Sequence, residues 1–271
     1  NLEKYERLKT ENTINDNFVM HFLKKYDYHI IVPYSGYGPP DKFLNSDVNP
    51  CSNVIFMKNK FLTELSRTTI INYFVEKQIE QERRQIQLCA LSELPDFGKK
   101  NDKPVYVFTH LFIPHAPYLF DKDGNFITPS SNKLKGLEGW NNVDGYLNEI
   151  QFINKKILTI SKNILTYSKN SIIIIQGDTG SSILNNPDTD DFIKKRLSIL
   201  FAIHLPDAHE LIFPNTTSSP NTYRIIFNHY FGTNYDLLPD QYYWDSNSQN
   251  IVNGTNRYID VTDLIIPLSK N

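Results

Sequence analysis

The sequence lacks several features that would narrow its function at once. No run of about 18 apolar residues occurs, so the 271 residues contain no stretch expected to cross a membrane as a helix. Neither charge sign dominates: 28 basic and 30 acidic residues leave a net charge of −2, which argues against a nucleic-acid partner. The start, NLEKYERLKTEN, is polar, has no signal-peptide pattern, and lacks an initiator Met, as a cut edge would. No Gly-x-Ser-x-Gly elbow is present, which disfavours an α/β-hydrolase. Internal repeats and low-complexity tracts are absent. There are two cysteines, Cys51 and Cys89. They could pair in an oxidising compartment, but two buried free thiols is the simpler expectation. Asn215-Thr-Thr and Asn253-Gly-Thr fit the glycosylation sequon, and in so Asn-rich a chain they carry little weight.

What is present reads as an α/β chain. With 40% apolar residues it can build a real core, and one large domain over 1–271 is the simplest organisation. Ile14, Phe18, Val19, Phe22 and Leu23 recur at helical spacing and predict a helix over 13–26. Residues 28–33 read as a short buried strand and 34–55 as an irregular loop. Residues 57–92 read as helical, with EKQIEQERRQ as a solvated face. Residues 104–112 form a second strand, and 113–142 a loop. A long amphipathic helix over 143–168 leads into the isoleucine strand 171–176. A helix at 188–195, a strand at 197–203, and a helix at 220–231 with Ser219 as N-cap and Gly232 past its end come next. Short strands and turns fill 242–268, where Tyr242-Tyr243-Trp244 reads as core or rim. Strands alternating with helices predict a largely parallel sheet covered on both faces, with sites beyond the strands' carboxyl ends.

Two loops at such ends carry the chemistry. In Thr109-His-Leu-Phe-Ile-Pro-His-Ala-Pro-Tyr118, His115 sits between two prolines that restrict it. A histidine held so loses little entropy on meeting an anion or metal; the alternative is a surface His in a Pro-rich loop. His110 reads as a buried, hydrogen-bonded residue, and Asp121-Lys-Asp-Gly124 as a turn. In Gln176-Gly-Asp-Thr-Gly180, Asp178 lies where the apolar strand stops. A carboxylate there can ligate a hard cation such as Mg, Ca or Mn, although turns use the same residues. Arg196 could reach an anion, with a structural ion pair as the simpler expectation. His204 follows a strand expected to run parallel to the others, which would project it near Asp178. Arg224 and His229 read as structural, His209 as a second histidine near that strand end, and Thr68-Thr69 and Ser181-Ser182 as hydroxyls with no base beside them.

Taken together, FTHLFIPHAPYLFDKDG, GYLNEIQFINKKI and IIIIQGDTGSS, in that order, resemble the sulfatase-like branch of the alkaline phosphatase superfamily. The likeness is to membrane-anchored sulfatase-like proteins, relatives of lipoteichoic acid synthase. RLSILFAIHLP, SSPNTYRIIFNHYFGTNYDLLPDQYYW, YIDVTDLI and NDNFVMHFLKKYDYHIIVPYS extend it over nearly the whole chain, mostly as pattern. The resemblance implies a three-layer sandwich around a largely parallel sheet, lacking its first strand here. It implies one or two divalent metals (Mn, Mg, Ca or Zn) and a Thr, Ser or formylglycine nucleophile attacking phosphorus or sulfur. The substrate implied is a phosphate or sulfate ester of a lipid or glycan at the extracytoplasmic face of a membrane, with anchoring segments outside this chain. Asp178 matches the metal-binding Asp of the family's Asp-His-Gly motif, and His115 the His of its Pro-His-x-Pro-Tyr segment, a substrate-oxyanion contact. Thr179 stands where the motif's metal-binding His is expected, which disfavours a tight Zn site. The first strand and nucleophile are expected before residue 1, NLEKYERL resembling the segment after the nucleophile helix. The rival expectation is a non-catalytic domain of this fold that binds an anionic glycan or a partner protein.

Overall fold

In the computed structural model the chain forms two compact units, residues 1–169 and 170–271. The structure describes residues 13–36, 45–127, 142–181, 183, 189–207, 213, 217–245 and 258–266. Both sequons and His209 lie outside them. Helices and strands are mixed, and the described strands form three two-stranded sheets.

In the first unit, α1 (Phe18–Lys25) begins where the Asn17 side chain accepts the Met20 N–H, and it buries Met20, Phe22 and Leu23. It feeds β1 (His29–Ile31), which pairs in parallel with β2 (Val105–Val107), His29 opposite Val105. Both strands are shorter than their apolar runs. Pro33 lies two residues beyond β1 and offers no N–H, so β2 has nothing to pair with after Phe108, whose N–H bonds the Ile31 carbonyl.

The helical run expected over 57–92 is two helices, α2 (Lys60–Arg67) and α3 (Asn72–Glu93). The break falls at Thr68-Thr69, whose hydroxyls bond the Leu65 and Ser66 carbonyls and compete with the helix ladder. The polar stretch 76–85 is solvated as expected at Glu76, Lys77, Gln78, Gln81 and Gln85, but not at Glu82 and Arg84. Glu82, Arg84 and Gln87 are buried and hold loops in place. The Glu82 carboxylate accepts the N–H groups of Ile55, Phe56 and Met57 at 3.0–3.3 Å. Gln87 donates to the Ser35 carbonyl and accepts the Phe112 N–H. Arg84 donates to the Ile127 carbonyl and lies 4.7 Å over the Phe126 ring.

Cys51 and Cys89 are disulfide-bonded, against the expectation of free thiols. The loop clamped by Glu82 returns the chain to the same helix, which brings the two Cα atoms to 5.6 Å. The long helix α4 (Val143–Tyr167) starts at the Asn142 cap and packs Phe152, Ile153 and Ile160 against Leu91, Ile113, Leu119 and Phe120. Each such side chain contributes about 1.5–3 kcal/mol by leaving water.

In the second unit, β3 (Ile173–Gln176) pairs with β4 (Phe201–His204) antiparallel, Ile173 opposite His204 and Gln176 opposite Phe201. The parallel direction expected for β4 is therefore corrected. The connection carries, among the described residues, the eight-residue α5 (Asp190–Leu197) and returns the chain beside the end of β3, where the Gly177 N–H bonds the Leu200 carbonyl at 2.9 Å. Helix α6 (Ser219–Phe231) has Ser218, not Ser219, at its N-cap, and Gly232 at its C-cap in the left-handed region. Ser219 instead accepts a hydrogen bond from the Gln176 side chain. The α6 asparagines organise the segment beyond the helix: Asn221 exchanges bonds with the Leu238 main chain, and Asn228 with that of Tyr235. β5 (Tyr243–Asp245) and β6 (Tyr258–Asp260) pair antiparallel, Trp244 meets Phe192 edge-on, and α7 (Thr262–Ile265) comes last.

Candidate functional site

The loop after β2 is held from two helices. The Phe112 N–H is taken by Gln87 on α3. On α4, Glu149 is 1% exposed and accepts the Leu119 N–H through Oε1, with the Phe120 N–H at 3.1 Å from the same oxygen. Its Oε2 is buried with no hydrogen-bond partner among the described residues. Burial pushes the Glu149 carboxyl up to about 8, although the two N–H groups act the other way. The adjoining Tyr118 hydroxyl is pushed up to about 12 by burial and by the Glu149 and Tyr146 charges. Gly145 makes this packing possible, because a Cβ there would sit 2.4 Å from the Tyr118 ring.

His115 lies at the outer edge of this anchored loop, half-buried, between Pro114 and Pro117, both preceded by cis peptide bonds. Its ring stacks on Phe112 at 4.0 Å between centroids, and Nδ1 bonds the Ala116 carbonyl at 2.5 Å. The imidazole thus has a fixed place. Asp121-Lys-Asp-Gly124 is a turn, as read from the sequence. Asp121 accepts the Asp123 and Asn125 N–H groups, and the Asn125 amide together with these backbone donors holds its carboxyl below the ordinary range.

In the second unit, Asp178 and Thr179 are exposed in the turn just beyond β3. The Thr179 hydroxyl lies 3.4 Å from Asp178 Oδ1. The turn is closed reciprocally: the Gly180 N–H bonds the Arg196 carbonyl at 2.7 Å, while Arg196 Nη1 donates to the Gly180 carbonyl. Only glycine fits, since a Cβ at 180 would sit 1.8 Å from the Lys195 carbonyl oxygen. Asp178, Thr179 and Arg196 therefore share one turn.

His204 does not join them. Antiparallel pairing sets it opposite Ile173, about 10 Å of ladder from the Gln176 end, and its Nδ1 lies 3.2 Å from the Ser171 carbonyl. It cannot stand in for the imidazole that the sequence resemblance leads one to expect at 179. His115 belongs to the first unit and the Asp178 turn to the second. The hydroxyls of Thr68 and Thr69 bond main-chain carbonyls, and Ser181 Oγ accepts the Ile183 N–H.

The donor set at Asp178 is a carboxylate and a neutral hydroxyl, with no imidazole. Among the described residues no group of three His, Cys, Asp or Glu side chains is placed to hold a metal. Two oxygens fit part of the shell of a hard cation of the Mg, Mn or Ca type, and do not fit a tetrahedral Zn site. A cleft of about 800 Å³ in the second unit is lined by Asp190, Asp240, Asp260 and Asp263. Its charge would repel an anionic ester.

Glu82, Gln87 and Glu149 were not singled out from the sequence. Glu149 had a legible signal: it lies four residues after Gly145 and four before Ile153, on the buried stripe of α4. No protein-family model matches the chain, and no curated protein or solved structure shows significant similarity to it.

Proposed function

We propose that this chain acts on a phosphate or sulfate ester of an extracytoplasmic lipid or glycan, as a domain with the sulfatase-like three-layer sandwich. Asp178, with Thr179, would hold a hard divalent cation, which would supply charge stabilisation at the ester. Arg196, on the same turn, would meet ester oxygens; His115, in the first unit, keeps only the anion contact that its own loop implies, and His204 has no part in this reading. The observation that carries it is the Asp178 turn. An exposed carboxylate is presented at a strand end by a turn that admits only glycine at 180 and is locked by Arg196. The Cys51–Cys89 disulfide is compatible with an oxidising, extracytoplasmic setting.

A second reading is favoured by one specific observation, the hydroxyl of Thr179 where imidazole is expected. There the domain is non-catalytic and binds an anionic glycan or a partner protein. Calorimetry with Mn, Mg, Ca and Zn on the chain and on Asp178→Ala separates the two. Binding of Mn or Mg that disappears in the variant supports the first reading. No binding to either protein leaves the non-catalytic reading.

A further inference from the structure

We infer that the corner between α2 and α3 is a docking surface for an anionic lipid membrane, with Ile70 and Ile71 entering the interface and Phe61, Tyr73 and Phe74 seated at headgroup level. The inference is independent of the ester chemistry and uses none of its residues.

Seven of the fourteen residues from Phe61 to Phe74 are large, apolar and exposed: Phe61, Leu62, Leu65, Ile70, Ile71, Tyr73 and Phe74. Ile70 is 98% exposed, Phe61 73%, Tyr73 72% and Phe74 70%. Single exposed apolar side chains are ordinary, but such a concentration marks a contact surface. Tyr73 and Phe74 meet edge-on at 5.6 Å, so they form one aromatic ledge.

Charge selects the partner. Residues 58–77 carry four basic side chains (Lys58, Lys60, Arg67, Lys77) against two acidic ones (Glu64, Glu76), while the chain as a whole is at −2. Aromatic and aliphatic residues bordered in sequence by lysine and arginine suit the boundary of an anionic bilayer. In a two-fold dimer the same net-positive segment would face itself. Part of the corner's backbone is bonded within it. Thr68, Thr69 and Asn72 N–H groups bond the Leu65, Ser66 and Thr69 carbonyls, and the Phe74 and Val75 N–H groups share the Ile71 carbonyl. The Thr68 and Thr69 hydroxyls are spent on Leu65 and Ser66. These bonds lower the cost of moving the tip out of water.

The test is co-sedimentation of the 271-residue chain with vesicles of phosphatidylcholine plus phosphatidylglycerol, and of phosphatidylcholine alone. The chain is expected to bind the anionic vesicles, more weakly as salt rises. Ile70→Ser/Ile71→Ser and Phe74→Ser are each expected to lower affinity about tenfold while leaving the thermal melt unchanged. An Ile70→Trp variant should shift its fluorescence to the blue on adding anionic vesicles. No vesicle binding by the unsubstituted chain overturns the inference, as does binding that the substitutions leave intact. A dimer in sedimentation equilibrium that the same substitutions abolish, without vesicle binding, assigns the corner to a second copy instead.

Discussion

The first unit holds its loops with two buried carboxylates, Glu82 and Glu149, beside the Gln87 amide, whereas the second uses the Asn221 and Asn228 amides, the Asp240 carboxylate and main chain. Glu82 and Glu149 reach from α3 and α4 to N–H groups of chain segments far away in sequence. In the second unit Asn221 and Asn228 each donate and accept, and the Asp178 turn closes on reciprocal Gly180–Arg196 bonds. A carboxylate only accepts, and what it does depends on its proton. An amide does both jobs at every pH. The loop carrying His115 is therefore tied to the Glu149 proton, whereas the Gly180–Arg196 bonds use main chain and a guanidinium.

The largest expected effect is that of pH. Because the folded carboxyl of Glu149 titrates at about 8 rather than 4.5, the folded form retains its proton where the unfolded form has lost it. Below 4.5 the two states bind equally and no penalty exists. From there to about 8 the stability of the first unit should fall with rising pH, then level off. At roughly 1.4 kcal/mol per pH unit the total is on the order of 5 kcal/mol. Glu149→Gln should abolish the fall. Hydrogen exchange of 113–120 against 233–240 across this range checks it; an equal response in both segments would erase the distinction between the units.

Next comes the disulfide. Closing 38 residues of chain constrains the unfolded state, so Cys51→Ser/Cys89→Ser should cost about 3–4 kcal/mol, read by denaturant unfolding with and without reductant. Glu82→Leu leaves the Ile55, Phe56 and Met57 N–H groups without their acceptor and should cost about 3 kcal/mol. Its signature is faster exchange at 54–57 with little change in the second unit. Last comes Gly180→Ala, about 3 kcal/mol, the top of the overpacking range, because the added Cβ would meet the Lys195 and Ser198 backbone, which must shift as a whole. That variant should loosen the Asp178 turn, seen as faster exchange at 177–180, while leaving the Glu149 pH response intact.

Much of the fold was legible. The stripe Ile153, Ile157, Ile160 and Ile164 foretold α4, and the run before Gly232 foretold α6, because helical periodicity is a local property. The Asp178 and His115 loops were also found, since proline, glycine and a strand-end carboxylate mark themselves. The polar stretch of α3 was legible at its exposed positions but not at Glu82 and Arg84, because charge looks the same in sequence whether it faces water or a loop's polar main chain. The place of His204 was misread because strand direction depends on where the return path docks.

Helices, apolar stripes and the turn chemistry around Asp178 and His115 were all written locally, by residues within a few positions of one another. The antiparallel pairing of β3 with β4, the Cys51–Cys89 bond and the burial of Glu82 and Glu149 emerged only in three dimensions. Each joins residues 25 to 38 positions apart, and such contacts form only when the intervening chain has folded back.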